Sequence, residues 1–449
     1  MSVHKRSQDL SPGPIRDLFV GLNEAEIPYL VLRGYEPVSC LEESVDLDVW
    51  IPEAELGRAR QVLRALGWLE RRNQTGRYPH IFFDFLGHVD QLAIMLDVVT
   101  DVCFDWGRGL RELRNSEPLL SRSRLQGIVR VPDPWHTVFL LTLHHLLDKR
   151  GVGPDHVERF QRHLDIARRD DPDGAVLRED FGEAVADLVF RFSQQFGGDE
   201  PQRVYALRKE TACLPVLKAR RILGMRHDHG ARARRRRARP VRVAMIGLDG
   251  AGKTTQLSNL VAAARALGVG RAYLGYNEFE TRSFRWVMRQ LERSRKAGRR
   301  STHPLPRLLD FLRDVLLPIE LGHRMRRAEF GKMVVFYDRY PIEGLDPGNP
   351  PSRLRQAARG LQQLIGLKIP QPDLVLFLDG DPETLWARKK EYPLQVYLET
   401  RARYVTCIEA LTCESAVTRT DTSVEESLRS LVRAISESSV VRSKLYVRP

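Results

Sequence analysis

A short apolar segment, residues 243–246, leads directly into the glycine-rich run GLDGAGKT at residues 247–254, and an amphipathic segment follows it. This order of strand, glycine loop and helix is the P-loop pattern G-x-x-x-x-G-K-[ST]. The glycines let backbone N–H groups turn inward around phosphate oxygens, and the helix that follows presents its positive end to them. The sequence therefore predicts an α/β domain that binds a nucleoside triphosphate, with ATP and Mg²⁺ as cofactors.

The loop and the first turn of its helix supply the predicted nucleotide contacts. Lys253 brings a cation to the phosphates, and the hydroxyl of Thr254 coordinates Mg²⁺. The predicted contacts in this segment are Gly247, Asp249, Gly250, Ala251, Gly252, Lys253, Thr254 and Thr255.

Two apolar runs later in the chain, residues 333–337 and 374–378, predict buried strands. They alternate with segments of helical spacing, and this alternation indicates a parallel, doubly wound sheet. A carboxylate at the C-terminal end of a central strand beside the loop is where a metal ligand or a base belongs. Asp338, which follows the first run, is therefore a candidate magnesium ligand.

Three motifs in this order resemble those of the thymidylate kinase family. They are GLDGAGKTTQL at residues 247–257, VVFYDRY at residues 334–340 and QPDLVLFLD at residues 371–379. The resemblance covers about residues 241–435. In that family the Asp of the second motif lies near the magnesium ion and the Arg reaches the acceptor phosphate. The resemblance implies these catalytic roles for Asp338 and Arg339.

In the same family a mobile basic lid follows the third motif and closes over the phosphates, which excludes water and adds positive charge. Here the next helical segment ends in Arg388-Lys389-Lys390, and the P-loop has no arginine of its own. The resemblance thus implies Arg388 as the catalytic cation of a lid, with Lys389 and Lys390 behind it and Lys389 as a further contact of the nucleotide. A solvated basic helix end is the alternative interpretation.

The activity that the resemblance implies is transfer of the γ-phosphoryl group of ATP to a nucleoside monophosphate such as dTMP. The acceptor side differs from the family pattern. Residues 273–278 read YLGYNE where thymidylate kinases usually show an Arg-Glu-Pro type segment, and a long basic insertion covers about residues 281–327. A P-loop kinase of a sugar or another metabolite, and a regulatory P-loop NTPase, are the alternatives.

The N-terminal part of the chain carries a second motif. Residues 33–35 (RGY) precede residues 46–48 (DLD) by ten residues, and alternation along a strand places both aspartates on one face. This resembles the nucleotidyltransferase superfamily, in which a third carboxylate on a neighbouring strand completes a divalent-metal site. The resemblance implies Asp46, Asp48 and Asp90 as metal ligands, with Tyr35 where the family has Gly or Ser. Two surface carboxylates on an edge strand are the alternative.

These patterns predict four segments: a nucleotidyltransferase-like α+β domain at 15–130, a helical subdomain at 131–225, a basic linker at 226–240 and the P-loop domain at 241–435. The net charge of +13 suits anionic partners, and four consecutive arginines occupy residues 234–237. That run has no interleaved aromatic side chains on which bases could stack. A nucleotide or a phosphorylated small molecule is therefore favoured over nucleic acid as the partner.

The apolar runs and the N-terminal segment of the sequence indicate the cellular compartment. No apolar run approaches the roughly 18 residues that a membrane span needs, and no secretory signal is visible at the N-terminus. We therefore expect a cytoplasmic protein with no membrane partner. The sequence leaves a homodimer open.

Overall fold

The computed structural model describes residues 13–33, 46–72, 80–88, 91–105, 110–148, 154–195, 207–220, 239–274, 281–296, 304–338, 370–390 and 393–447, with the single residues 340, 356 and 361. Two compact units are divided between residues 231 and 232, except for the short segment 86–93. Each is an independent arrangement of helices packed on sheets.

The first half of the N-terminal unit is a mixed sheet with two helices. Its elements are α1 (Pro14–Glu24), β1 (Leu30–Arg33), β2 (Asp46–Trp50), α2 (Leu56–Ala65), β3 (Leu69–Glu70), β4 (His80–His88) and β5 (Gln91–Val99). The strand order is β1-β2-β5-β4-β3, and β2 and β5 run parallel. Leu47 and Val49 join α1 and α2 in one apolar core because alternate residues of β2 point to the same face. The intervening Asp48 therefore points to the opposite face of the sheet.

The second half of this unit adds helices and two small sheets. Its elements are β6 (Cys103–Asp105), β7 (Leu110–Leu113), α3 (Glu117–Ser121), β8 (Arg124–Gln126), β9 (Val129–Val131), α4 (Pro134–Leu143), α5 (Pro154–Asp170), α6 (Ala175–Phe181), α7 (Glu183–Gln195) and β10 (Leu217–Arg220). A π-helical turn, His144–Asp148, continues α4. The expectation that residues 131–225 are entirely helical is wrong at β10, which pairs antiparallel with β7. Ladder hydrogen bonds to a strand about a hundred residues earlier decide its conformation.

The C-terminal unit has a parallel sheet with helices on both faces. Its elements are β11 (Val241–Gly247), α8 (Lys253–Ala263), β12 (Val269–Tyr273), α9 (Arg282–Lys296), α10 (Pro304–Glu329), β13 (Val334–Asp338), β14 (Leu374–Asp379), α11 (Pro382–Arg388), α12 (Leu394–Glu409), β15 (Glu414–Arg419), α13 (Val424–Glu437) and α14 (Ser439–Leu445). The strand order is β12-β13-β11-β14-β15, and every neighbouring pair runs parallel. The parallel sheet predicted from the sequence is therefore confirmed.

The position of β11 decides where a ligand site can form in this unit. The strand lies at the centre of the sheet, where the strand order reverses between β13 and β14. Residues of α10 and α12 cover one face of the sheet in a shared apolar core, and α8 packs with α13 and against β11. In such sheets a crevice opens at the carboxyl ends of the strands around the reversal point. The glycine loop follows β11 at this end.

None of the helices that the structure describes is long and apolar enough to cross a membrane.

Candidate functional site

The glycine loop joins the end of β11 to the start of α8. Gly250 has φ +90°, and a Cβ atom there would lie 2.3 Å from the carbonyl oxygen of Leu385 in α11. Only glycine accepts this backbone conformation and this close approach without strain. The loop is therefore shaped both by its own sequence and by the helix that lies against it.

Lys253, the first residue of α8, is the cation of this loop and is only 8% exposed. Its Nζ donates hydrogen bonds to the carbonyl oxygens of Gly247, at 2.8 Å, and Leu248, at 2.7 Å. The Asp249 carboxylate lies 3.6 Å from the same nitrogen. The ammonium group is thus centred inside the loop, where the positive end of α8 adds to its charge. Thr254 and Thr255 are exposed on the first turn of that helix.

Asp338 ends β13 and is buried, with 3% of its surface exposed. In the parallel ladders it pairs with Met245 of β11 and with Tyr273 of β12. The structure therefore brings Asp338 to the same edge of the sheet as the glycine loop. Arg339, the next residue in the motif, lies outside the described residues, and so do residues 275–278 of the YLGYNE segment.

The helix α11 carries the predicted lid residues. Its N-terminus is capped by Asp381, whose carboxylate accepts a hydrogen bond from the Thr384 backbone N–H at 2.8 Å. At its other end the Nη1 of Arg388 donates to the carbonyl oxygen of Thr420 at 2.7 Å. The guanidinium group is directed to the residue after β15, although the Arg388 Cβ lies close to Gly250. Lys389 is exposed at the end of the helix.

Lys390, the third basic residue of this segment, lies over the ring of Trp386 at 5.2 Å. Such a cation–π contact holds the ammonium group on the surface of α11. The three basic residues therefore differ in their contacts: Arg388 donates to a backbone carbonyl oxygen, Lys389 is exposed to solvent, and Lys390 contacts an aromatic ring.

Sequence reasoning missed two groups around the same edge of the sheet. Arg401 of α12 makes a bidentate pair with Asp379 at the end of β14, with nitrogen–oxygen distances of 2.8 and 2.6 Å. Arg324 of α10 is buried, and it donates to Glu320 at 3.0 Å and to the carbonyl oxygen of Tyr273 at 3.1 Å. Local sequence does not mark the pair of Arg401 and Asp379, because these residues meet only when α12 packs on the sheet. Helical spacing of four residues between Glu320 and Arg324 was the available signal.

In the N-terminal unit the structure places a carboxylate beside Asp48 that the sequence analysis did not name. Asp48 of β2 pairs in register with Asp97 of β5, so these two residues share one face of the sheet. Asp97 is buried, and the Nδ1 of His80 lies 2.9 Å from both of its oxygens. Asp90, the residue expected in this place, lies outside the described residues, and the side chain of Asp46 is not described. Among the side chains that are described, no group of three or more ligating residues forms a metal site.

Comparisons with known proteins add a partial likeness. No protein-family model matches the sequence, and no curated protein matches it at a significant level. Among solved structures, a thymidylate kinase from Candida albicans is similar over 44% of this chain and 91% of that one. The identity is 19% and the TM-score is 0.31. The interpretation of the site therefore rests on its own geometry.

The residues of the C-terminal site fit a triphosphate with a magnesium ion. A Cβ atom at Gly252 would meet nothing within 4 Å, so the loop leaves room in front of the first turn of α8. Lys253 supplies the cation that phosphate oxygens require, and the exposed Thr254 hydroxyl and the Asp338 carboxylate are oxygen donors of the kind that Mg²⁺ takes. The arrangement can bind and polarise a phosphoryl group at this edge of the sheet.

Proposed function

We propose that the C-terminal unit is an ATP-dependent kinase whose acceptor carries a phosphate group, most simply a nucleoside monophosphate of the dTMP type. One observation carries the proposal. The P-loop, with Lys253 buried in it, lies at the carboxyl end of the central strand of a parallel sheet, and the buried Asp338 ends the neighbouring strand. A carboxylate in this place beside a P-loop is what phosphoryl transfer uses to hold magnesium or to orient the nucleophile.

In this proposal each residue has a separate task. Backbone N–H groups of the loop and the ammonium group of Lys253 hold the phosphate chain, and Thr254 and Asp338 would hold Mg²⁺, which neutralises charge on the phosphates. An acceptor oxygen forms a bond to the γ-phosphorus as the bond to ADP breaks. The Cβ atom of Arg388 lies beside Gly250. Turning the guanidinium group from Thr420 toward the loop would bring its positive charge to the phosphoryl group that is transferred.

The acceptor side is proposed to recognise a second phosphate. Arg339 directly follows Asp338 in the sequence, and Arg324 is buried against the carbonyl oxygen of Tyr273 at the end of β12. Guanidinium groups bind phosphate through paired hydrogen bonds that favour this anion over neutral groups. A kinase of a sugar or another metabolite, or a regulatory NTPase, remains the alternative if no phosphorylated acceptor is found.

A panel of nucleoside monophosphates and sugars, each assayed with ATP and Mg²⁺, tests this function. We expect turnover with a monophosphate, and we expect Lys253→Ala to abolish it because the β- and γ-phosphates lose their cation. Lys332→Ala is the matched control, since Lys332 is exposed and precedes β13 at the opposite edge of the sheet. ATP hydrolysis without transfer to any acceptor would favour the regulatory alternative.

The variant Arg339→Lys, measured in the same assay, distinguishes an acceptor that carries a phosphate from a sugar-type acceptor. Lysine cannot make the paired hydrogen bonds of arginine, so the KM for the acceptor should rise far more than the KM for ATP. Equal effects on both KM values would contradict a phosphate-bearing acceptor and favour a sugar-type substrate.

We also propose that the N-terminal unit is a nucleotidyltransferase-like module that binds a divalent cation at Asp48 and Asp97, with Asp46 two residues earlier on β2. The parallel register that sets Asp48 beside Asp97 supports this proposal. Two neighbouring carboxylates repel one another, and a cation between them relieves the repulsion. Melting of the parent chain and of Asp97→Asn with and without Mn²⁺ tests it.

A further inference from the structure

Tyr397 lies in the middle of the first two turns of α12, and its side chain is almost fully enclosed. The residue is 4% exposed, and its hydroxyl oxygen has no hydrogen-bond partner among the residues that the structure describes. Buried hydroxyl groups in proteins are nearly always paired, because leaving one unpaired costs stability. An unpaired one in the part of the chain that the structure describes is therefore a group that a bound ligand can pair.

The surroundings of Tyr397 show where that hydroxyl is directed. Arg401 lies one helical turn further along α12, so the two side chains share a face of the helix. Arg401 is fixed to the end of β14 by its bidentate pair with Asp379. In the parallel ladder, Leu378 is the partner of Gly247, the first glycine of the P-loop. Tyr397 thus belongs to the group of side chains that surrounds the start of the loop.

The charges around the hydroxyl agree with this placement. Burial raises the pKa of Tyr397 to about 12, and the carboxylates of Asp379 and Asp249 add to that rise, whereas Arg401 and Arg388 oppose it. Asp249 belongs to the P-loop itself, and Arg388 starts beside Gly250. The phenol therefore stays protonated at neutral pH and is a hydrogen-bond donor. Both Asp379 oxygens already accept from Arg401, and Arg388 donates to Thr420.

We infer that the Tyr397 hydroxyl donates a hydrogen bond to the terminal phosphate of the bound nucleoside triphosphate. The inference rests on the proposed function, because it takes the P-loop as a nucleotide site. The loop N–H groups surround the inner phosphates, and Lys253 reaches the β- and γ-phosphates. Arg388 of α11 lies beside Gly250 of this loop, and Asp249 of the loop is among the charges that act on the Tyr397 hydroxyl. A neutral donor there recognises the γ-phosphoryl group without adding another charge to a site that already contains Lys253 and Arg388.

Titration of the full chain with ATP and with ADP, followed by calorimetry, tests the inference. Tyr397→Phe should weaken ATP binding about 10-fold and leave ADP binding unchanged, because a hydrogen bond to a charged acceptor is lost only with the longer nucleotide. Its melting temperature without nucleotide should not fall, because the hydroxyl has no partner to lose among the residues that the structure describes. Tyr404→Phe, on the same helix and packed near Phe377, is the matched control and should bind both nucleotides as the parent does.

The outcomes separate the inference from the proposed function. If the parent binds ATP and Lys253→Ala does not, but Tyr397→Phe binds ATP like the parent, the inference alone is wrong. A lower melting temperature of Tyr397→Phe without nucleotide would also overturn it, since the hydroxyl would then have a structural partner. If the parent binds neither nucleotide, the proposed function fails and the inference fails with it.

Discussion

Burial keeps the imidazole of His163 in its neutral form in the folded protein. His163 of α5 is buried in the N-terminal unit, and burial lowers its pKa from 6.5 to about 4, with Arg159, Arg162 and Arg124 adding to the effect. The folded state therefore keeps this imidazole neutral at pH values where the unfolded chain already binds a proton. Stability from His163 is complete above pH 6.5 and is lost as the pH falls toward 4.

Replacing His163 by Gln should remove that pH dependence. Each pKa unit corresponds to about 1.4 kcal/mol, so the parent should lose roughly 3 kcal/mol from this group between pH 6.5 and pH 4. Denaturant unfolding of the N-terminal unit, measured at several pH values in this window, gives the comparison. If the parent and His163→Gln lose stability in parallel, then His163 is protonated in the folded state and the assignment is wrong.

At the scale of elements, the contact of α11 with the P-loop joins two segments that are distant in sequence. The carbonyl oxygen of Leu385 approaches Gly250 too closely for any side chain, whereas the neighbouring Gly252 faces open space. Both glycines have positive φ, at +90° and +74°. An alanine at either position would therefore be strained by its positive φ. Only an alanine at position 250 would also collide with the Leu385 carbonyl oxygen of α11.

Alanine substitutions at these glycines separate strain from collision. Gly252→Ala should cost about 1–2 kcal/mol of unfolding free energy from its positive φ alone. Gly250→Ala should cost more, because the new methyl group pushes α11 away from the loop. Urea unfolding of the C-terminal unit measures both. Equal losses at the two positions would show that α11 does not press on the loop in solution.

At the scale of the whole molecule, the two compact units carry separate proposed sites. Mn²⁺ without nucleotide should stabilise the N-terminal unit at Asp48 and Asp97, and ATP with Mg²⁺ should stabilise the C-terminal unit at Lys253. We therefore expect two calorimetric transitions that respond to different ligands. Asp97→Asn should remove most of the Mn²⁺ effect and leave the ATP effect intact.

The control for this experiment is Asp187→Asn, which changes an exposed carboxylate of α7 in the same unit. It should retain the full response to Mn²⁺. A melting curve of the parent that Mn²⁺ and Mg²⁺ leave unchanged would contradict the N-terminal metal site. The unit would then more simply be a binding or scaffolding module.

The parts of this protein that its sequence predicts are those that local pattern determines. The strands β11, β13 and β14 are apolar runs beside recognisable loop residues, so their place in a parallel sheet follows from the pattern. The pairing of Asp48 with Asp97 depends instead on the register between β2 and β5, which are far apart in the chain. The sequence does not single out Tyr397 either, because a tyrosine within a helix resembles an ordinary core residue, and only the structure shows that its hydroxyl has no partner among the described residues.

The two carbonyl bonds of Lys253 have a consequence for selectivity. A ligand that takes hold of this ammonium group must replace the oxygens of Gly247 and Leu248, which already accept from it at 2.8 and 2.7 Å. Neutral oxygen compounds offer acceptors no stronger than those carbonyls, and exchanging them yields no net gain. Only a carrier of negative charge outcompetes the main chain. In the proposed nucleotide site, these contacts of Lys253 therefore favour an anion over an uncharged ligand.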